Sequence, residues 1–552
     1  MLSAQAPAES GTRAGSGRPG LRLRWALLIC LAGGGLLSLA FPPYGVWPLA
    51  VAGPCLLVLA LSERSLRGSL ACGLVFGVAF FFPLLSWLIN VAWYALLSLA
   101  VALTVIFAVL TIGQRLLLNL RYWPAAVAGW WVTAEGVRDR WPFPFPWGRL
   151  AMSQAGAPGA GWMAIGGAPL LTFLLALTGA MIARVVLAGG AGPRPGFGDG
   201  ARARGWDRPA IASRLTARLA PASGPMLAAV LTTGFVLAIA LVPLDPAGHA
   251  PTAEVAAIQG NVPRARNLPQ QLNDEEVTQN HEQATLKLAA EIKAGRLPAP
   301  DIVLWPENST SIDPFDDAQV YEQIAAAVTA IGRPVLVGEV LQGSQQLNVG
   351  QLWTPGGGPG PMYIKRQLVP FGEYIPWRGF ISSFSSLPSL QPQNFTAGHK
   401  AVVFTVGTIR LGDVICYEVG FDPLVRSEVT AGANLLTVQS NDADFEIDGQ
   451  SGESGQQVAM ARLRAVESDR AVVYVSTTGE SAIIAPDGHI IEHSGLWQQA
   501  ILEARVPLVT YRTLADRVGQ WPEYVIIAFT VLSLVAGIAP RSTGSMRWVR
   551  AS

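Results

Sequence analysis

Long apolar segments follow one another through the first half of the chain, separated by short polar or basic connections. Seven precede a long polar region and an eighth lies near the C-terminus; they cover residues 25–41, 47–62, 69–89, 92–113, 122–137, 161–188, 225–243 and 524–540. A helix needs about 20 apolar residues to cross a bilayer, and several segments reach that length, although the first, second and fifth are shorter. The pattern predicts a membrane α-helical bundle of about eight transmembrane helices, seven within residues 25–243 and a C-terminal one at 524–540.

The polar region over residues 252–508 has a different pattern, in which short β-type runs alternate with helical stretches and Gly or Pro marks the joins. Strands are predicted at 254–259, 301–305, 334–338, 401–406, 409–416, 434–438 and 471–475. Helices are predicted at 273–293, 317–331 and 455–469. Such an alternation is typical of a single α/β domain.

The amino-acid composition agrees with a membrane protein. Hydrophobic residues make up 51% of the 552 positions and charged residues 14%, whereas a soluble domain has about 25% charged residues. Intrinsic disorder is excluded for most of the chain, because it requires low hydrophobicity and high charge. The chain has 39 Lys and Arg against 38 Asp and Glu, and this balance argues against a nucleic-acid partner.

Arginine residues lie mostly on one side of the bundle if the predicted spans alternate across the membrane, and the positive-inside rule makes that side cytoplasmic. The expected cytoplasmic parts are a disordered N-terminus over residues 1–24, an Arg-rich loop over 189–222 and a tail over 541–552. The α/β domain is then expected on the extracytoplasmic side. The basic loop after the fifth span departs from the rule. The Arg-rich loop could also be interpreted as a nucleic-acid-binding patch, but a solvated cytoplasmic loop is the favoured interpretation.

Cys416 ends a predicted strand and is followed directly by Tyr417 and Glu418. The end of a strand in an α/β sheet presents its side chain at the edge where active sites of such sheets usually lie. The thiolate is the nucleophilic form of cysteine, and an unperturbed thiol is only a few per cent ionised at neutral pH, so a base is needed. An inert buried cysteine is the alternative interpretation of these residues alone.

Three further side chains have the chemistry for acid–base or electrostatic roles. Glu307 follows a predicted strand and Pro306, where burial can raise a carboxyl pKa enough for a general base. Lys365 is one of four lysines in the chain, and a fixed ammonium would stabilise an oxyanion. Glu373 is a second carboxylate, eight residues after Lys365. A solvated loop glutamate and a surface lysine are the alternative interpretations of Glu307 and Lys365.

The chain order of Glu307, Lys365 and Cys416 resembles that of the nitrilase, or carbon–nitrogen hydrolase, superfamily. Further motifs narrow the resemblance to the apolipoprotein N-acyltransferase family. They are FPWGRLAMSQ at 145–154, QGNVP at 259–263, KRQLVPFGEYIP from Lys365, CYE from Cys416, SND at 440–442 and ARLRAVESDRAVVYVSTTG from Ala461. The similarity extends over essentially the whole chain, including eight spans with a nitrilase-like domain between the seventh and the eighth.

The resemblance implies an acyltransferase of the bacterial inner membrane, with an extracytoplasmic αββα sandwich over residues 252–508. In the family, a cysteine takes the sn-1 acyl chain of a phospholipid as a thioester, and the α-amine of an S-diacylglyceryl-cysteine lipoprotein then accepts it. The partners implied are a phospholipid donor, a diacylglyceryl lipoprotein acceptor and the lipid bilayer, without a metal or organic cofactor. Cys416 matches the nucleophile, Glu307 the general base and Lys365 the oxyanion-stabilising residue. Supporting positions are matched by Glu373, Tyr417 and Glu418.

Four positions depart from the family pattern, namely Leu268, Asp444, Gln457 and Thr478. In the family these positions commonly hold an aromatic residue, Trp, His and Asn, respectively. The replacements leave Glu307, Lys365 and Cys416 in place but bear on lipid contacts.

Two rival functions stay open at this point. A membrane-tethered amidase or nitrilase-type hydrolase would have the same fold and use water as the acceptor, and the PFGEYIP and CYE segments disfavour it. The other rival is a non-catalytic transporter or scaffold. Transport pathways usually contain ionisable residues, and apart from Glu135 the predicted spans nearly lack them.

Overall fold

The computed structural model of the chain describes residues 21–189, 250–263, 270–383, 393–446 and 452–538. The predicted seventh span at 225–243 lies outside the described residues, as does Leu268. The same is true of nearly all of the N-terminus, the Arg-rich loop and the tail to which the sequence assigns a cytoplasmic location.

Apolar helices form the described part of the first half of the chain. They are α1 Leu23–Ser38, α2 Leu49–Leu61, α3 Leu66–Leu84, α4 Trp93–Leu117, α5 Trp123–Arg138 and α6 Met163–Gly189. Each lies on one of the predicted apolar segments, so the prediction of apolar helices in this half is confirmed. Within the described residues, four helices are long and apolar enough to cross a membrane, at Leu66–Leu84, Trp93–Leu117, Pro158–Ala188 and Trp521–Ile538.

Helix α3 packs closely between α1 and α4. A Cβ atom on Gly73 of α3 would lie 2.7 Å from the Cα of Ala108 on α4, a distance at which only glycine fits. Small residues at crossings of this kind are typical of helices that pack in membranes, where backbones approach each other through them.

The described part of the second half contains twelve strands. They are β1 Thr252–Gln259, β2 Ile302–Leu304, β3 Val335–Gln342, β4 Gln346–Thr354, β5 Gly358–Ile364, β6 Val403–Val406, β7 Ile409–Ile415, β8 Leu435–Ser440, β9 Val472–Ser476, β10 Ala482–Ile484, β11 Ile490–His493 and β12 Ala500–Pro507. The helices are α7 Gln270–Lys293, α8 Ala318–Ile331, α9 Arg378–Ser382, α10 Asp422–Thr430, α11 Glu453–Ser468, α12 Leu514–Val518 and the apolar α13 Trp521–Ile538. All the predicted strands and helices of this region coincide with observed ones.

The strands form two six-stranded sheets of the same design. The first has the order β12-β1-β2-β3-β4-β5 and the second β11-β10-β9-β8-β7-β6. In each sheet three central strands are parallel, β1 to β3 in the first and β7 to β9 in the second, and antiparallel strands flank them. Parallel strands are usually buried on both faces, and all six of these coincide with short β-type runs that the sequence predicted.

The two sheets face each other, with helices on both outer sides. Strands β1 and β9 contact each other between the sheets, as do β4 and β7. Helices α7 and α8 cover the first sheet, whereas α10 and α11 cover the second. This α/β domain confirms the fold class expected of the second half, and it brings the ends of β2, β5 and β7 to one place.

The α/β domain also packs against the apolar helices. Helix α6 contacts α11 and α12, and α13 returns to pack against α5. At this junction the two terminal nitrogens of Arg149, Nη1 and Nη2, donate to the carboxylate oxygens of Asp422 at 2.8 and 3.0 Å.

Candidate active site

Cys416 lies where β7 ends and a short 3₁₀ helix, Cys416–Gly420, begins. Its backbone has a φ of 53°, in the left-handed region that non-glycine residues rarely adopt. Strained backbone of this kind is often found at functional sites, where the surrounding structure holds it. The side chain is 6% exposed, so the sulfur is almost entirely shielded from solvent.

Glu307, Lys365 and Glu373 are brought into direct contact. Lys365 follows β5, and its Nζ lies 2.8 Å from Oε1 of Glu307 and 2.9 Å from Oε1 of Glu373. All three side chains are buried. A Cβ atom on Gly338 of β3 would lie 2.8 Å from the Cα of Glu307, so glycine is needed there for Glu307 to take its place after β2.

The charges around Cys416 act in opposite directions. Burial and the Glu307 carboxylate raise the pKa of the Cys416 thiol well above its ordinary value, while the Lys365 ammonium lowers it. Burial alone would lower the pKa of Lys365, but the carboxylates of Glu307 and Glu373 raise it well above its ordinary value. The lysine is therefore a fixed cation, and the cysteine rests as a thiol that needs a base.

Asn348 of β4 is a site residue that sequence reasoning missed. Its Nδ2 donates to Oε1 of Glu307 at 2.7 Å and to Oε1 of Glu373 at 2.8 Å. The other oxygen of Glu307 accepts from the backbone N–H of Asn441 at 3.0 Å. Each carboxylate is thus held by neutral donors as well as by Lys365.

Tyr417 and Glu418 fasten the segment that carries Cys416. The Tyr417 ring stacks on Trp147 with 5.2 Å between ring centroids, and its hydroxyl donates to the carbonyl oxygen of Pro144. Glu418 accepts from the backbone N–H of Arg366 at 2.7 Å and from that of Ile415 at 2.8 Å. Tyr417 therefore ties the segment to the loop that follows α5, and Glu418 ties it to the loop that carries Lys365.

The described residues that depart from the family pattern differ in burial and in their contacts. Asp444 is exposed and Thr478 is buried. Gln457 is buried on α11 and donates from Nε2 to the sulfur of Cys416 at 3.4 Å. The sequence singled out Gln457 only as a replacement, because spacing alone does not show that α11 faces Cys416.

An exposed aromatic cluster lies next to the site. The Phe143 ring contacts Phe371 and Trp377, with centroids 5.5 and 4.9 Å apart. Phe371 and Trp377 are 46% and 60% exposed, and both belong to the loop that carries Glu373. Exposed aromatic groups in contact with one another are typical of binding surfaces.

Comparison with known proteins agrees with this architecture. Residues 33–181 match the family model of the apolipoprotein N-acyltransferase N-terminal domain, and residues 254–516 match that of carbon–nitrogen hydrolases. The fold and site thus define a carbon–nitrogen hydrolase domain joined to an apolar helical domain. An amidase of the nitrilase superfamily from Nesterenkonia AN1 is 17% identical and covers 49% of this chain and 96% of its own, with a TM-score of 0.35.

Similarity over the full length identifies the family. The apolipoprotein N-acyltransferase of Mycolicibacterium smegmatis is 36% identical over 98% of this chain and 90% of that protein. The one from Azotobacter vinelandii is 30% identical over 90% and 92%, respectively. The chain belongs to the apolipoprotein N-acyltransferase family.

Proposed function

We propose that this protein acylates the α-amine of the S-diacylglyceryl-cysteine of bacterial apolipoproteins, with a phospholipid sn-1 acyl chain as the donor. The reaction proceeds in two half-reactions through a thioester on Cys416. The observation that carries the proposal is the buried contact of Lys365 with Glu307 and Glu373 beside the strained Cys416, in a member of this acyltransferase family.

In the first half-reaction Glu307 takes the proton of the Cys416 thiol, and the sulfur attacks the sn-1 ester carbonyl. A tetrahedral oxyanion forms near the Lys365 ammonium, whose charge stabilises it. The carbon–oxygen bond of the ester then breaks, and the departing lysophospholipid oxygen takes the proton back from Glu307. The acyl chain remains on the sulfur as a thioester.

In the second half-reaction the lipoprotein amine attacks the thioester carbonyl and gives up a proton to Glu307. The carbon–sulfur bond breaks, and the sulfur regains a proton from Glu307, so that the enzyme returns to its first state. Glu373 and Asn348 position the reacting groups through these steps. Glu373 binds the ammonium of Lys365, and Asn348 donates to the carboxylates of Glu307 and Glu373. Tyr417 and Glu418 hold the Cys416 segment.

The location of the reaction follows from its lipid-anchored substrates. We propose a multi-pass protein of the bacterial inner membrane with eight spans, whose α/β domain over residues 252–508 lies on the extracytoplasmic side. The aromatic cluster of Phe143, Phe371 and Trp377 is an apolar path by which acyl chains reach the sulfur. Burial of Cys416 keeps water from the thioester.

The first experiment tests the acyl-enzyme. The purified full-length protein is incubated with labelled phospholipid, and intact mass spectrometry should show one added acyl chain, mapped to Cys416 and released by hydroxylamine. Cys416→Ala should abolish the label, whereas Cys55→Ala, which removes a buried cysteine of α2, should keep it. Glu307→Gln should slow loading at least about a hundredfold, since a general base contributes that much or more. Full-rate loading in Glu307→Gln would remove Glu307 from the base role.

The second experiment separates transfer from hydrolysis. A diacylglyceryl peptide with a free α-amine is added to the loaded enzyme, and N-acyl peptide should accumulate. Release of free fatty acid instead would support the amidase-type hydrolase, and absence of any loading would support a non-catalytic role.

A further inference from the structure

A second group of polar side chains reaches Cys416 from α11, which contributes nothing to the contacts between Glu307, Lys365 and Glu373. Nε2 of Gln457 donates one hydrogen to the Cys416 sulfur at 3.4 Å and the other to Oε1 of Glu453. Glu453 lies one helical turn before Gln457 on the same face of α11. Both side chains are buried. The amide nitrogen of Gln457 thus serves both partners, one hydrogen for each.

Glu453 in turn contacts Asp442, which lies in the SND motif. Asp442 is buried and accepts from the hydroxyls of Ser440, Tyr474 and Ser476 at 2.7, 3.0 and 2.6 Å. Three hydroxyl donors stabilise the anionic form of Asp442, whereas among the described residues the single donor to Glu453 is the amide of Gln457, so Glu453 is the acid of the pair that holds the proton. Oε2 of Glu453 has no hydrogen-bond partner in the described structure, which an uncharged acid tolerates better than an anion does. Burial raises the pKa of Glu453 well above its ordinary value, and Asp442 raises it further.

We infer that Gln457 is a further catalytic residue, which donates a hydrogen bond to the sulfur of Cys416, and that neutral Glu453 is the positioning residue that holds it. The inference rests on the proposed role of Cys416 as the nucleophile. A donor to sulfur favours the thiolate over the thiol. A neutral Glu453 accepts from Gln457 without adding a negative charge beside the thiolate.

The surroundings of the sulfur make such a donor useful. Titratable side chains that interact with Cys416 in the described structure include Glu307, Lys365, Glu453, Asp442, Tyr417 and Tyr474. Among these, Lys365 alone is a cation, and it also serves Glu307 and Glu373. Gln457 therefore adds a donor to the sulfur that, unlike the Lys365 ammonium, is not shared with Glu307 and Glu373.

The test measures thiolate formation without any lipid. Full-length protein in detergent is treated with iodoacetamide over a range of pH, and the rate of alkylation at Cys416 is followed by peptide mass spectrometry. Gln457→Leu should shift the profile to higher pH and lower the rate at neutral pH about tenfold, the size of effect of a hydrogen bond to a charged group. The rate at high pH should be unchanged. Gln457→His, which keeps a donor, should restore most of the neutral-pH rate.

Two further variants test the protonation of Glu453. Glu453→Gln, a neutral residue of the same shape, should leave the profile within about twofold of the wild type, whereas Glu453→Leu should resemble Gln457→Leu. Faster alkylation in Glu453→Gln would mean that Glu453 is charged and would overturn its assigned state. The matched control is Gln456→Leu, which removes a buried amide that donates to the Leu84 carbonyl and not to sulfur.

The outcomes also separate this inference from the proposed function. An unshifted profile in Gln457→Leu overturns the inference even if phospholipid still loads Cys416 normally. A shifted profile in a protein that never forms the thioester supports the hydrogen bond and overturns the proposed function. Equal far-ultraviolet circular dichroism and thermal unfolding of the variants verify that the shift does not arise from misfolding.

Discussion

Two carboxylates share one lysine in the site, and an asparagine makes the arrangement possible. Glu307 and Glu373 both direct Oε1 at Lys365 Nζ, which places two like charges close together in a buried site. Asn348 donates one hydrogen to each of these same oxygens. These hydrogen bonds offset the repulsion between the two carboxylates without adding a further charge. Hydrogen bonds to an ionised acceptor are stronger than those between neutral groups. Asn348 thus helps Lys365 to orient both carboxylates.

Asn348→Asp should therefore impair catalysis more than folding. It replaces two donors by a third carboxylate at nearly the same volume, so Glu307 loses its orientation and the cluster gains repulsion. The rate of thioester formation on Cys416 should fall by about tenfold to a hundredfold, given about 1.5–3 kcal/mol for a hydrogen bond to a charged group. Rapid-quench mass spectrometry of acyl loading measures this rate.

The control for Asn348 lies on the same strand. Gln351→Leu removes another buried amide of β4, one that donates to the Gly360 carbonyl oxygen at 3.0 Å, away from the carboxylates. It should load at a rate close to the wild type. Equal loading by Asn348→Asp and the wild type would show that Asn348 has no part in orienting the carboxylates.

Strands differ in how well the sequence predicts them, and the difference follows from burial. The six parallel strands are mostly enclosed on both faces and rich in apolar residues, as in β2 and β9, so short β-type runs located them. The antiparallel β4 and β5 were not predicted. Strand β4, QLNVGQLWT, mixes polar and apolar residues, and β5, GPGPMYI, begins with the glycine and proline that usually indicate a turn.

The same difference limits what the sequence says about the site. Glu307 follows a predicted strand and Cys416 ends another, so their positions at sheet edges could be predicted. Lys365 was singled out because lysine is rare in this chain, and the family resemblance then gave its role. Asn348 lies inside the strand that was not predicted. Gln457 lies in a helix that was predicted, but which face of that helix meets Cys416 depends on how α11 packs on β9 and β10. Contacts between distant elements are not encoded in local hydrophobic patterns.

Glu418 joins two elements of the site, and its loss should affect both. One oxygen accepts from the backbone N–H groups of Arg366 and Gln367, and the other from Ile415 N–H and the Tyr363 hydroxyl. Glu418→Gln would turn one acceptor into a donor that faces other donors. Stability should fall by about 1–3 kcal/mol, the cost of unsatisfied buried groups. Loading of Cys416 should fall as well, because its segment and that of Lys365 lose their connection.

Thermal unfolding and acyl loading measured on the same sample test this expectation. Glu322→Gln serves as the control, since Glu322 is exposed on α8. A Glu418→Gln protein that is less stable but loads at the normal rate would show that Glu418 supports the fold without aligning the two segments.

At the scale of the whole molecule, a buried ionic cluster connects the apolar helices to the α/β domain. Asp422, at the start of α10, binds Arg149 from the loop after α5 and Nη2 of Arg464 from α11. Nη1 of Arg464 binds Glu467 on the same helix. Burial alone would raise the pKa of Asp422, but Arg149 and Arg464 lower it below its ordinary value. The cluster fixes α11, and with it Gln457, relative to the helices that would bring lipid to the site.

Removal of the charge of Asp422 should loosen this junction. Asp422→Asn leaves Arg149 and Arg464 buried with less compensation, and breaking a buried pair costs about 3–5 kcal/mol. Arg149→Met should cost less, because Asp422 keeps its ion pair with Arg464.

The stability that Asp422 contributes depends on pH. Since the folded-state pKa of Asp422 is lowered, this contribution is present above its ordinary pKa and is lost only as the pH falls through the folded value. The part of the difference between wild type and Asp422→Asn that comes from Asp422 itself should therefore persist down to acid pH, while Glu467, whose pKa burial raises to about 7, adds a pH dependence near neutrality. The control is Asp487→Asn, at an exposed contact with His489, which should unfold like the wild type. If Asp422→Asn also unfolded like the wild type, the cluster would not hold the apolar helices and the α/β domain together.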